Sequence, residues 1–308
     1  MSSYSPFNKP GARVYFFYHD PQPEKLTDQQ KTYIHGFINS LETILYSPLF
    51  KVPVFGYEAY IDINSFADYF IIGEISRNVD AYKKSRYYYK DKDSKDGLLH
   101  SGPVWDFDWA WRNLTENCVN VNQIDGSGWA YKINECYASP VPPSWEVRLL
   151  QDNEFANLVH NRYFALRKTI LSRSLIEHSI DSVAVLIDEA QKRHYQKWNI
   201  LGINVGTPES GTQPTTYSGE IEKFKEWINT RLTWLDKNMV GSPLSIENDG
   251  SVNKAICRVF PNPVTNILYI ESDKEIKDVF LFNTAGGAIE KLTEIYNYSL
   301  TLNVTRLH

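Results

Sequence analysis

The 308-residue chain has three cysteines, too few for a disulfide-built scaffold. Cys118 and Cys136 lie in one loop-like stretch and Cys257 lies far from both. By counting alone a local disulfide with one leftover thiol and a set of reduced thiols fit alike. A zinc site needs more ligands than stand near them. No apolar run approaches the roughly 18 residues of a membrane helix. The first ten residues lack the apolar stretch of a signal peptide. Positive charge is not in excess: the net charge of −5 argues against a dedicated nucleic-acid binder. No G-x-G-x-x-G phosphate loop, nucleophile elbow or internal repeat is present.

Aromatics are plentiful at 14% within a hydrophobic share of 42%, enough for one large domain and a small one. They crowd into Leu99-His-Ser-Gly-Pro-Val-Trp-Asp106-Phe-Asp108-Trp-Ala-Trp-Arg-Asn113. Acids among large apolar side chains need a base, backbone N–H groups or a metal ion as partner. Asp-x-Asp after a strand offers the oxygen ligands a hard divalent cation takes. A turn cap, or a pair with Arg112, fits the same residues. Trp105 reads as core.

Ala12 to Tyr18 reads as a strand. Thr27 and Gln30 form a capping box ahead of a helix with Tyr33, Ile34, Phe37, Ile38, Leu41, Ile44 and Leu45 at helical spacing, and Glu42 beside that stripe. Asp62 reads as the cap of a second helix ending near Arg77, with Asp68 and Arg77 as a structural pair. Arg86–Lys90 and Leu98–Trp105 read as a hairpin around the Asp91–Gly97 turn, a solvated acidic loop. Asp80 then lies on its approach and Asp106 on its exit. His100 reads as a strand-surface residue rather than a base. A long polar loop spans 114–144, and helices are expected over about 153–172, 175–198 and 218–238. Residues 241–254 read as a linker, and 255–308 as a small all-β unit of short strands.

The order of Asp80, a polar residue five positions on (Ser85), a hairpin and Asp106-Phe-Asp108 follows the logic of kinase phosphoryl transfer. Two carboxylates also allow glycosidase-type hydrolysis. The segments Gly56-Tyr-Glu-Ala-Tyr-Ile-Asp62, Ser65-Phe-Ala-Asp-Tyr-Phe70, Glu74-Ile-Ser-Arg-Asn78-Val-Asp80 and Gly102-Pro-Val-Trp-Asp-Phe-Asp108 resemble the spore coat protein H (CotH) kinase family. Gly128-Trp-Ala-Tyr131, Arg148-Leu-Leu150 and Arg231-Leu-Thr-Trp-Leu-Asp236 are similar to it too, so the resemblance covers about residues 12–240.

The resemblance implies an α+β, atypical protein-kinase-like fold over residues 1–240, with a largely helical C-lobe, a β-hairpin at the site and a truncated N-terminal lobe. It implies ATP with Mg²⁺ or Mn²⁺ as cofactors and a protein substrate phosphorylated on Ser or Thr. Asp80 is then the catalytic acid/base, and Asp106 and Asp108 hold the metal. Ser85 stands at the family's metal-binding Asn, and Glu42 is a candidate partner of a phosphate-holding lysine or, without that lysine, an ordinary surface acid. That lysine is absent near Phe17, Lys9 is distant, and His19 is a poor substitute. These departures imply reduced or absent transfer, and the alternative is a non-catalytic surface module, a pseudokinase.

Val259-Phe-Pro-Asn-Pro-Val264, Leu268-Tyr-Ile270 and Val279-Phe-Leu-Phe-Asn-Thr-Ala-Gly286 resemble the C-terminal sorting domain of the type IX secretion system, a small β-sandwich. The chain ends at Leu302-Asn-Val-Thr-Arg-Leu307, where that family adds a further strand, so the unit reads as incomplete. This resemblance implies outer-membrane secretion machinery as a partner and a secreted or cell-surface location. It also implies a Cys118–Cys136 disulfide in an oxidising setting.

Overall fold

The computed structural model describes residues 1–111, 118, 125–136, 138–206, 212–242, 257–261, 264–282 and 288–305. Two compact units, Met1–Leu244 and Ser245–His308, make up the chain, and each is described by itself. The Arg112 pairing and most of the expected linker 241–254 lie outside the described residues.

In the first unit the helices are α1 (Asp28–Tyr46), α2 (Ile63–Ser76), α3 (Trp145–Leu149), α4 (Asn153–Arg167), α5 (Arg173–Leu186), α6 (Asp188–Lys197) and α7 (Tyr217–Asn238). One hairpin, β1 (Tyr88–Lys90) and β2 (Leu99–Ser101), lies between α2 and α3. Helix α1 starts on a reciprocal cap: the Gln30 N–H donates to Thr27 Oγ1 at 3.2 Å and the Thr27 N–H to Gln30 Oε1 at 2.9 Å. Helix α2 starts on Asp62, whose carboxylate accepts the Ser65 N–H at 2.7 Å. Apolar residues surround α2 on most sides, as expected of a central helix. Phe66, Phe70, Ile71 and Ile75 are all buried in the main core with Leu41 and Leu45 of α1, Phe155 and Val159 of α4 and Leu232 of α7.

The hairpin pairs Tyr88 with Ser101, Tyr89 with His100 and Lys90 with Leu99. It is shorter than the pattern of residues 86–105 predicts. Pro103 carries no N–H with which to continue the ladder. Residues 12–18 are extended but belong to no strand. Val14 is buried and Phe16 packs on Trp145, while Tyr15 and Phe17 face outward. The alternation sets the backbone, but a ladder also needs a neighbouring strand, and none pairs here among the described residues. The helix predicted over 175–198 is interrupted at Ile187, which leaves helical geometry between α5 and α6.

The second unit holds β3 (Cys257–Phe260), β4 (Ile267–Ile276), β5 (Val279–Phe282), β6 (Ala288–Leu292) and β7 (Asn297–Asn303). They form antiparallel sheets of order β3-β4-β7 and β5-β6. Leu268 and Ile270 alternate inward on β4 and meet Leu302 and Val304, with Val279, Leu281 and Leu292 packed against them.

Within the first unit, α2 and α7 are joined by an ion pair with no solvent access: Arg231 Nη2 lies 3.0 Å from Glu74 Oε2. The Arg231 Nε donates to the Glu74 carbonyl at 2.8 Å, and its Nη1 to the carbonyls of Gly126 and Gly128 at 2.7 Å each. Glu74 also accepts the N–H groups of Ala130 and Tyr131 and the hydroxyl of Tyr82. A Cβ on Gly126 would stand 3.1 Å from the Arg231 backbone, and its φ of +72° is one that side chains disfavour, so this approach requires glycine. Replacing Arg231 with Met strands a buried carboxylate. It should cost about 3–5 kcal/mol in urea unfolding, and Glu74→Gln/Arg231→Met should lose less than the sum of the two single changes.

Candidate functional site

Helix α2 ends at Arg77 in the left-handed conformation, with φ of 47°. This turn swings Arg77 away from the helix face that carries Asp68. The expected Asp68–Arg77 pair is therefore absent. Asp68 pairs with Arg162 at 2.8 Å, and buried Arg77 donates to the Ser127 carbonyl at 2.9 Å and lies over the Trp227 ring.

Asn78 follows, and its side-chain oxygen accepts the N–H of Asp80 at 3.0 Å. Asp80 opens a 3-10 turn through Tyr82. Its own carbonyl accepts the N–H groups of Lys83, Lys84 and Ser85 at 3.1, 3.0 and 3.1 Å. The Asp80–Ser85 interval is thus folded into one compact knot. Its far end reaches the second acid: Ser85, nearly buried, donates its hydroxyl to Asp106 Oδ2 at 3.2 Å. At the near end Lys83 Nζ stands 3.0 Å from Asp80 Oδ1 and Lys84 Nζ 3.9 Å from Oδ2. The Lys83 contact is an ion pair off the hydrogen-bonding direction.

Asp106 has φ of 59°, a left-handed conformation that Asp tolerates better than most residues. The run Asp106-Phe-Asp108 alternates: Phe107 packs edge-on against Tyr69, while both acids are exposed. Their expected placement among buried aromatics is corrected by this. Trp105, expected in the core, is 58% exposed and stands edge-on to Tyr87, which in turn meets His19. Trp111 turns the other way, packing against Phe224 of α7 while its N–H donates to the Ser76 carbonyl.

Arg86, which no sequence signal singled out, locks the start of the hairpin. It is buried, pairs with Glu146 at 2.7 Å and lies 3.7 Å over the Tyr69 ring and 4.8 Å from the Tyr88 ring. A lone arginine ahead of a Tyr-Tyr-Tyr run was the available clue. On the hairpin, His100 stacks on Tyr89 and shares a 2.7 Å hydrogen bond with Asp96. Asp91 and Asp93 pair with Lys95 and Lys90.

Glu42 is not the ordinary surface acid that a missing lysine would leave, and its hydrogen bonds go to residues other than Asp80, Ser85 and Asp106. It is buried on α1 and accepts from Ser2 Oγ at 2.7 Å and from Trp145 Nε1 at 3.3 Å. Burial is the main cause that raises its pKa above the ordinary 4.5, and the two hydrogen bonds offset it only in part. Cys118 and Cys136 form a disulfide, and Cys257 is a free, exposed thiol.

No set of three or more His, Cys, Asp or Glu side chains converges as a metal cage among the described residues. The donors present are carboxylate and hydroxyl oxygens. They fit Mg²⁺, which keeps much of its water and binds through one or two carboxylates together with substrate phosphates. No helix of the described residues is long and apolar enough to cross a membrane.

A family model described as CotH kinase protein matches residues 8–235, and one described as secretion system C-terminal sorting domain matches residues 258–308. The first spans most of the chain, and the protein belongs to the CotH kinase family; its C-terminal part carries a secretion sorting domain. No curated protein and no solved structure matches the chain.

The raised pKa of Glu42 has a signed consequence. The folded state holds this proton more tightly than the unfolded chain, so stability is fully present below the ordinary value and declines as pH rises from 4.5 through the raised one. Glu42→Gln keeps an acceptor for Trp145 and a polar partner for Ser2. Thermal melts across this range should lose that component of the decline, and the variant should be at least as stable as the parent at neutral pH.

Proposed function

We propose that this protein is an exported CotH-type kinase that moves the γ-phosphoryl group of ATP to a Ser or Thr hydroxyl of an extracellular or surface protein. The observation that supports this reading is the Asp80–Ser85 turn, whose serine hydroxyl donates to the Asp106 carboxylate. In this reading Asp80 accepts the proton of the attacking hydroxyl as its oxygen bonds to phosphorus and the bond to ADP breaks. Asp106 and Asp108, with help from Ser85, would hold Mg²⁺ or Mn²⁺, which would supply charge neutralisation for the phosphates when bound. Glu42 serves the nucleotide side as a positioning residue, the role that the family resemblance gives it.

The domain assignment follows the same reading: residues 1–240 are the kinase domain, 241–254 the linker and 255–308 the sorting unit. The sorting unit engages type IX outer-membrane machinery and directs the protein to the medium or the cell surface. A pseudokinase is the second reading. It is favoured by one observation: among the described residues the hydrogen-bond partners of Glu42 include no basic side chain, where a phosphate-holding lysine is expected.

Transfer of labelled phosphate from ATP with Mg²⁺ or Mn²⁺ separates the two. Asp80→Asn should lower transfer by roughly 10²–10⁴-fold, the range of a lost general base, with the fold intact by circular dichroism. Asp106→Ala should weaken metal-dependent nucleotide binding. Binding without transfer supports the pseudokinase, and absence of both defeats the nucleotide reading altogether.

A further inference from the structure

A site that handles triphosphates needs fixed positive charge, and the upstream segment supplies little of it. Val14–Pro21 contains no lysine or arginine. The Lys9 ammonium donates to the Cys136 carbonyl at 3.2 Å, beside the disulfide. Arg13 is the remaining basic residue of that region.

The turn after Asp80 carries two consecutive lysines in very different settings. Lys83 is 14% exposed and lies 3.0 Å from Asp80 Oδ1. Lys84 is 55% exposed and lies 3.9 Å from Oδ2. One carboxylate balances one ammonium, so the group of three carries one positive charge in surplus. The buried position belongs to Lys83, where an unpaired charge would be costly, and it is therefore the fixed counter-ion. The surplus lies on Lys84, whose looser pair is easily exchanged for a stronger anion. Its backbone is not free to drift: the Lys84 N–H is held by the Asp80 carbonyl, and the next residue is the serine bonded to Asp106. A tethered ammonium with a solvent-facing head, one residue before the serine bonded to Asp106, matches a phosphate chain better than a neutral or cationic ligand.

We propose that Lys84 is the phosphate-binding cation of this site, contacting the terminal phosphates of a nucleoside triphosphate, and that Lys83 is the fixed counter-ion that holds Asp80. This rests on the nucleotide reading given above. It relocates the phosphate-holding charge from the upstream segment to the turn that bears the catalytic acid.

The test is a titration of the full chain with ATP and with AMP in the presence of Mg²⁺, by calorimetry. Lys84→Met should weaken ATP by roughly tenfold or more, as expected for loss of a hydrogen bond between charged groups, and leave AMP within about twofold. Lys84→Arg should retain most of the ATP affinity. Lys83→Met takes the fixed counter-ion from Asp80 and leaves Lys84 to balance it, so it should lower the transfer rate and weaken ATP less than Lys84→Met does. The proposal is overturned when Lys84→Met binds ATP as the parent does, or when Arg13→Met takes the ATP-selective loss in its place; in both cases nucleotide binding by the parent still stands. A parent chain that binds neither ATP nor AMP defeats the nucleotide reading, and this proposal with it.

Discussion

The carboxylate of Glu74 and the guanidinium of Arg231 are wholly removed from water, and most of the first unit is arranged to make that tolerable. Moving two such ions out of solvent costs several kcal/mol each unless every polar atom finds a partner. Here Glu74 receives four donors: Arg231, two backbone N–H groups and the Tyr82 hydroxyl. Arg231 gives its remaining protons to three backbone carbonyls. Those partners come from α2, from α7, from the 126–131 stretch and from the turn after Asp80. The pair therefore sets where the C-terminal end of α2 points, and Asp80 follows from that end within six residues of Glu74.

The chemistry of the candidate site rests on a division between buried anchors and exposed groups. Arg86 with Glu146, Tyr82 with Glu74, and Phe107 against Tyr69 hold the frame from inside. Asp106, Asp108 and Lys84 face solvent. Placing one apolar residue between two acids lets the chain fasten itself while presenting both carboxylates outward. The left-handed Asp106 and the turn that begins at Asp108 accomplish this without burying either charge.

Much of this was legible locally. The Thr27/Gln30 cap, the Asp62 cap and the Asp-Gly turn of the hairpin are short-range signals, and each corresponds to a hydrogen bond or turn within a few residues. The sequence also set Asp80 and Asp106 on the two sides of the hairpin. What it did not disclose depends on distant neighbours. Residues 12–18 have the alternation of a strand but, among the described residues, no strand to pair with. Trp105 has the size of a core residue, yet Pro103 ends the ladder ahead of it and it lies on the surface. Asp68 and Arg77 have a plausible spacing, but a left-handed residue at the helix end separates them. Glu74 and Arg231 carry no local sign of their pairing, because their partners are brought together by the fold alone. The roles of Asp80, Ser85, Glu42, Asp106 and Asp108 come from spacing and family resemblance, while the structure contributes their surroundings.

The separation of Glu74 from Arg231 by 157 residues bears on how this chain is made. As the polypeptide emerges from the ribosome, α2 is complete long before α7, and for that interval its acid lacks the cation and the carbonyl-bound clasp that make its burial favourable. The segment around Asp80 cannot settle early, since the loop that caps Glu74 is itself held by Arg231. Closure of such distant contacts is slow compared with helix formation. The buried pair can therefore close only after nearly the whole first unit has been synthesised. In a chain that carries a secretion sorting domain, the last helix of the first unit thus decides when the acid at the end of α2 gains its counter-ion.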